Sequence, residues 1–266
     1  MNKIVIKGYS IDSSVLDSNI ICESNESKTF SGVMNLFIKV LSDSSLILEF
    51  KNSSNMKFNI DIEINDNAKL RLIEYNNSKN MKMKYTYDLN KDVEVEVYKF
   101  YDVFSIKESI SINLNKENSK IYYLFKTISK ENEKYDITIK HNAKNTVSDI
   151  NNIGTNINDG NLSFNLSTFI PSGSISCTAN QNSRIVNLTD NKCIINPNLF
   201  IDENDVNANH SAHIGKFSDE ELFYLNSRGI DDNLAVNLLI NGILKRDMPD
   251  ILINSIEDSI KKYWEG

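Results

Sequence analysis

The chain has 266 residues, of which 40% are hydrophobic and 24% are charged, and its net charge is −7. This length allows one or two domains with a sizeable core, and the composition is that of an ordinary globular protein. Because the charge balance is acidic and no Lys/Arg-rich block stands out, we expect neither nucleic acid nor an acidic membrane surface as a partner.

Targeting signals and cysteines indicate the compartment. The N-terminal segment MNKIVIKGYS has no apolar stretch long enough for a signal peptide, and no run approaches the length of a membrane span. The three cysteines, Cys22, Cys177 and Cys193, are too widely spaced for a disulfide framework or a zinc motif. Reduced thiols in a cytoplasmic protein are therefore expected.

From the N-terminus to about Asn204 the hydrophobic pattern has a period of two. Apolar and polar residues alternate in short segments, which places one face in a core and the other in water. The clearest segments are 56–64, 81–87, 93–97, 106–114, 135–139 and 162–166. This period alone is compatible with a sandwich, a barrel or a solenoid. With only 9 glycines and 3 prolines, the strands are expected to turn by some device other than tight hairpins.

After residue 216 the pattern becomes helical. Ser218 and Glu221 have the spacing of a capping box, and Gly229 suits the C-terminal cap of the helix that they begin. Asp231 is placed to cap a second helix, and Pro249 suits the first turn of a third. A long β region followed by a helical tail of about fifty residues is the predicted organisation.

Few residues are candidates for catalysis or metal binding. No phosphate-binding glycine loop, nucleophile elbow or zinc-binding helix motif is present, so the chain is not expected to be an enzyme. His141 continues the face of a strand and is interpreted as a structural histidine. His210 and His213 lie three residues apart at the junction of the two regions, and such a pair binds a metal only if both rings face the same way.

Two segments carry a resemblance to a known family. The stretch NDVNANHSAHIGKFSDEELFYLNSRGI covers Asn204–Ile230, and HNAKNTVS covers His141–Ser148. Gln181 and the stretch Asn196–Leu199 fall in register with them. These segments resemble the SufB/SufD family of iron–sulfur cluster assembly proteins. The resemblance implies a mainly β fold, a right-handed parallel β-helix followed by a small C-terminal helical domain. We divide the chain into a β-helix core, 1–204, and a C-terminal segment, 205–266, with the solenoid end and the helical tail.

The resemblance also implies a role and partners. It predicts a non-catalytic subunit that docks a SufC-type ABC ATPase on the helical tail and pairs with a second SufB/SufD-type solenoid through its C-terminal end. A transient iron–sulfur cluster would form at that junction. The residues expected to contact the ATPase are Phe223, Tyr224, Leu225, Arg228 and Gly229.

His210 matches the histidine that the SufD-type subunit contributes to the junction, and His213 and Cys193 are secondary candidates. The chain departs from the SufB pattern at Ser211, where SufB has a glutamate, and at Arg184, where an ungapped count places the SufB cysteine. These departures make the site closer to SufD than to SufB.

Several alternatives stay open at this point. The solenoid pair could be a homodimer or a heterodimer, and Cys177 and Cys193 could each contact iron or not. Two rival classes are a β-helix protein that binds or degrades polysaccharide and a structural β-solenoid with no metal role. A polysaccharide enzyme would normally show a signal peptide and a cleft of acidic or basic catalytic residues, and neither is evident.

Overall fold

The fold is dominated by two parallel sheets whose strands alternate along the chain. The computed structural model describes residues 1–24, 32–157 and 160–264. In this part of the chain, one sheet has nine strands and the other has eight, and beyond the first strands each strand pairs with the strand two further along the sequence. The strands are β1 Asn2–Lys7, β2 Ser10–Val15, β3 Ile20–Ser24, β4 Val33–Val40, β5 Ser44–Phe50, β6 Lys57–Ile64, β7 Lys69–Asn76, β8 Met81–Leu89, β9 Glu94–Tyr101, β10 Ile106–Leu114, β11 Lys120–Ser129, β12 Glu133–His141, β13 Val147–Asn156, β14 Leu162–Ile170, β15 Cys177–Asn187, β16 Ile194–Ile201 and β17 Val206–Gly215.

This topology is a parallel β-solenoid, which confirms one of the three architectures that the period of two allowed. Each turn contributes one strand to each sheet, and residues one turn apart stack on one another. One such stack in the lumen is Ile60, Tyr85, Ile110, Ile137 and Leu166. All five side chains are buried, so the core of the protein is the space enclosed by the two sheets.

The turns explain the scarcity of glycine. At one corner of the solenoid, Asn67, Asp92, Asn118 and Asn145 have φ angles of 64°, 56°, 61° and 57°. Asparagine and aspartate tolerate this left-handed backbone better than other residues with a side chain. The backbone N–H of each of these four residues donates to a carbonyl oxygen one turn further on. The Asn67 N–H, for example, lies 2.8 Å from the Lys91 carbonyl oxygen. The device that the low glycine content indicated is therefore an asparagine-rich corner.

The two ends of the solenoid differ. At the N-terminal end, β2 pairs antiparallel with β1 and β3 pairs antiparallel with β4, so short antiparallel strands flank the first turn. At the other end, β16 and β17 are the last strands of their sheets. The C-terminal end of the solenoid therefore presents two strand edges.

The helical tail lies against the outside of the nine-stranded sheet. The helices are α1 Asp219–Asn226, α2 Asp232–Lys245 and α3 Asp250–Trp264. The predicted capping box and the Asp231 cap are both confirmed. Buried side chains of α2 and α3, such as Ile240 and Ile256, pack with Ile73, Phe100 and Ile128 of the sheet. Within the described residues, no helix combines the length and the apolarity needed to cross a membrane.

Polar contacts fix the tail in place. The Lys126 ammonium of β11 donates to the carbonyl oxygens of Ile243, at 2.8 Å, and Arg246, at the end of α2. Burial lowers the pKa of Lys126 to about 8. The buried Asp102 carboxylate accepts a hydrogen bond from Ser259 of α3 at 2.9 Å. The tail is therefore joined to the solenoid by both apolar and polar contacts.

The lumen also contains buried charge. The Lys99 ammonium lies 3.3 Å from a Glu74 oxygen and 2.9 Å from a Glu108 oxygen, and all three side chains are buried. Burial raises the pKa of Glu108, and the nearby Glu74 adds to that rise. One turn further along, burial raises the pKa of Glu133 to about 8, although Tyr135 and Thr127 donate to it at 2.7 and 2.8 Å.

Glu133 predicts a pH dependence of stability. Its folded-state pKa of about 8 lies above the ordinary glutamate pKa of 4.5, so between these pH values the folded chain binds more protons than the unfolded chain. Stability therefore falls as the pH rises through this window. In Glu133→Gln the amide oxygen keeps both hydrogen bonds and does not titrate, so its stability profile should be shallower. Urea unfolding at several pH values across the window measures both profiles.

The exposed Glu131→Gln is the matched control and should retain the wild-type slope. If stability changed with pH equally in wild type and Glu133→Gln, the raised pKa of Glu133 would be contradicted.

Candidate functional site

The open C-terminal end of the solenoid carries His210. In the described part of the chain, β17 pairs with β15 on one side and with no strand on the other, and β16 likewise pairs only with β14. Unpaired strand edges present backbone donors and acceptors that can pair with another strand. His210 lies in the middle of β17, opposite Gln181 of β15.

His210 is on the lumen side of β17. Its neighbour in register, Gln181, is buried in the lumen, and in-register residues of a parallel pair share a face. Gln181 donates from Nε2 to Thr168 Oγ1 at 2.7 Å and to the Asn198 carbonyl at 3.1 Å, so it spans the lumen beneath the last turn. His210 is nevertheless exposed. The last turn therefore presents an imidazole at the mouth of the lumen.

His213 lies on the opposite face of the same strand. It is in register with Arg184, which alternates with the buried Ser183 and Ile185 and so faces outward. A strand turns successive side chains to opposite faces, so two residues three apart do not share a face. The structure therefore does not bring His210 and His213 together. Arg184, Arg246 and Asp247 line a groove that includes His213.

The cysteines are less accessible than His210. Cys193 lies just before β16, half-buried against the lumen core, and burial raises the pKa of its thiol. Cys177 is buried at the start of β15, where its sulfur lies 3.0 Å from Thr146 Oγ1. Since the thiolate is the form that binds metal, a raised pKa disfavours ligation by Cys193 at neutral pH.

The residues described do not form a complete metal site. Among them, no group of three His, Cys, Asp or Glu side chains has the arrangement needed to hold a metal ion. A metal or a cluster at the mouth of the lumen would therefore need ligands from outside the described residues.

The first helix of the tail presents a second candidate surface. Phe223 and Tyr224 of α1 are 73% and 56% exposed, and α1 has no fully buried residue. The Arg228 guanidinium lies 4.5 Å from the centre of the Tyr224 ring. Leu225 is half-buried, and Gly229 has a φ of 82°, which suits the left-handed cap predicted from sequence. Aromatic and arginine side chains exposed together are typical of protein interfaces.

Together these features define a parallel β-solenoid protein with a docked helical tail, an open end and a histidine at the mouth of its lumen. A family model described as "SUF system FeS cluster assembly, SufBD core domain" matches residues 24–243, which is most of the chain. The chain belongs to the SufB/SufD family, and the resemblance seen in the sequence is confirmed.

Individual relatives agree with this assignment. The chain is 30% identical over 137 residues to the iron–sulfur cluster assembly protein SufD of Bacillus subtilis (strain 168), which covers 51% of this chain and 31% of that protein. It is 38% identical over 69 residues to a SufBD family protein of Pyrococcus horikoshii, covering 26% of this chain and 15% of the relative. A SufBD family protein of Mycobacterium leprae is 37% identical over 65 residues, which cover 24% of this chain and 17% of the relative. The chain thus spans less than a third of the length of these relatives.

The structural role of Gln181 could not be predicted from the sequence. The family pattern includes Gln181, and the structure shows that its side chain donates across the lumen to Thr168 directly under His210. The signal that could have identified it is the spacing of one solenoid turn, which becomes usable only once the strand register is known.

Proposed function

We propose that the chain is a non-catalytic subunit of a SUF-type iron–sulfur cluster assembly complex. The observation that carries this proposal is the exposed His210 at the open end of the solenoid, in a chain of the SufB/SufD family. An assembly scaffold needs imidazole or thiolate ligands at a protected seam rather than a general acid and base. The cluster is the cargo of this site.

The proposed partner at this end is a second SufB/SufD-type solenoid, either a copy of this chain or a paralogue. The edges of β16 and β17 offer backbone groups for strand pairing, whereas antiparallel strands flank the first turn at the other end. Such pairing would cover His210 and allow the partner to supply further ligands. This supports a cluster at the seam, since this chain offers a single exposed imidazole on the lumen side of β17.

The proposed ATPase surface is the exposed side of α1, with Phe223, Tyr224 and Arg228 at its centre and Leu225 and Gly229 beside them. The partner would be a SufC-type ABC ATPase. Because Lys126 and Asp102 join the tail to the solenoid, a movement of the ATPase would be transmitted to the sheets.

Free thiols at Cys177 and Cys193 fit a reducing compartment, so the cytoplasm is the proposed location of the complex.

The cluster-forming role predicts the effects of His210 variants. Since His210 is exposed, His210→Ala should leave the thermal unfolding temperature close to that of wild type. Cluster yield in the reconstituted complex, measured by iron content and visible absorption, should fall about tenfold or more for both His210→Ala and His210→Gln.

His213→Ala is the matched control from the other face of β17, and it should keep the wild-type yield. Full yield in His210→Ala would contradict the role, and rescue by His210→Gln would indicate a packing role instead.

The helical surface is best tested by point variants. Deletion of the tail would expose the apolar residues Ile73, Phe100 and Ile128 of the sheet, so it would confuse lost binding with lost stability. Phe223→Ala should weaken binding of the ABC ATPase by about tenfold or more, because buried aromatic anchors carry much of an interface's energy. Calorimetric titration with the ATPase measures this change.

Ile251 of α3 is 46% exposed, so Ile251→Ala is the control and should bind as wild type does. Equal weakening by both variants would count against α1 as the docking surface.

A further inference from the structure

A column of lysines runs along the outside of the eight-stranded sheet. Lys57, Lys82, Lys107 and Lys134 are the outward residues at the start of β6, β8, β10 and β12, and each is in register with the next. All four are exposed. Since neighbouring strands are about 4.8 Å apart, the column spans about 14 Å along the solenoid axis. The sequence shows no lysine block because the four residues lie one turn apart.

The column is poorly neutralised by the chain itself. Lys134 has a carboxylate partner, Asp136 at 3.2 Å, and within the described ranges Lys57, Lys82 and Lys107 form no ion pair. Like charges directly opposite each other in a sheet are destabilising. The solenoid therefore carries a repulsive arrangement along three consecutive turns.

Elsewhere on the solenoid, some lysines face a carboxylate in the next turn. On the nine-stranded sheet, Lys69 is in register with Glu94, which is in register with Lys120. Lys69 and Glu94 lie 3.4 Å apart at their charged groups. On the eight-stranded sheet itself, Lys39 pairs with Glu63 at 3.1 Å. Folding therefore does not require an unneutralised lysine column, which points to another use for it.

A groove runs beside the column and adds polar groups to it. The groove has a volume of about 410 Å³ and is lined by Lys82, Lys107 and Lys134 together with Asn80, Asn132 and Asn161 of the adjoining corner. The Asn161 side-chain amide donates to Asn132 Oδ1 at 2.9 Å, and the Asn80 side-chain amide donates to Asn55 Oδ1 at 3.2 Å. Each of these NH2 groups has a second N–H, which can bond the peptide groups of an extended chain. The site thus combines regularly spaced cations with peptide-compatible donors and acceptors.

We infer that this column and its groove bind a short acidic segment of a partner protein. Three or four carboxylates on an extended segment match the charge and the length of the column. A protein segment fits better than a long nucleic acid, because the net charge of −7 opposes a polyanion that extends beyond the column. The surface lies on the sheet opposite to the helical tail, so the site is independent of the proposed ATPase surface.

The test measures binding of a labelled hexaglutamate peptide to the full chain by fluorescence anisotropy at low salt. Wild type should bind, and binding should weaken as salt is added. The double variant Lys82→Gln/Lys107→Gln should weaken binding by about fivefold or more. The control, Lys69→Gln/Lys120→Gln on the other sheet, removes the same charge and should change binding by less than about twofold.

The variant should fold normally, since it removes a repulsion, and its melting temperature should be equal to or higher than that of wild type. If the double variant does not fold, the single variant Lys107→Gln takes its place. No binding at low salt, or equal weakening by both double variants, would overturn the proposal. Tighter binding of a single-stranded oligonucleotide of equal charge with the same lysine dependence would overturn it in favour of a nucleic-acid site.

Discussion

The parallel register between successive turns is the constraint on which the rest of the structure depends. Backbone hydrogen bonds between strands one turn apart force each residue to lie directly over its equivalent in the previous turn. Because of this, apolar residues such as Ile110 and Ile137 stack in the lumen, and left-handed asparagines such as Asn67 and Asn118 stack at a corner. The same register directs His210 to the lumen side and His213 to the outside. It also brings Lys82 and Lys107 together across a full turn of sequence.

The two ends of the solenoid differ in how their strands are paired. Antiparallel strands flank the first turn, while β16 and β17 leave their edges unpaired within the described chain. Natural proteins usually protect exposed edges, because such edges template association. The unpaired edge next to the exposed His210 is the basis of the proposed pairing with a second solenoid. The helical tail, fixed to the sheet by Lys126 and Asp102, adds a second surface at the side of the solenoid.

Features that depend on neighbouring residues could be predicted from the sequence. The caps at Ser218 and Asp231 and the alternation in β6 and β8 were all evident, because each is set within a few residues. The choice of a solenoid over a sandwich was not decided by the period, because strand pairing between turns is non-local and no strict repeat marks it. The family resemblance supplied that choice and the proposed role of His210.

Other features became apparent only from the register. Asparagine forms no recognisable motif in the sequence, yet it takes most of the left-handed corner positions that glycine would otherwise take. The facing of His210 and His213 follows from strand alternation once β17 is placed. The buried group of Lys99, Glu74 and Glu108 is spread over three strands, and each member alone resembles an ordinary surface charge.

The central claim is that the open end of the solenoid pairs with a second SufB/SufD-type solenoid around His210. Hydrogen–deuterium exchange of the chain, alone and with its solenoid partner, tests this claim most directly. Edge amides of β16 and β17 should exchange quickly in the isolated chain and become protected in the complex, while β2 and β3 should be unchanged. Protection at β2 and β3 instead, or no change at β17 in a complex that does form, would contradict it.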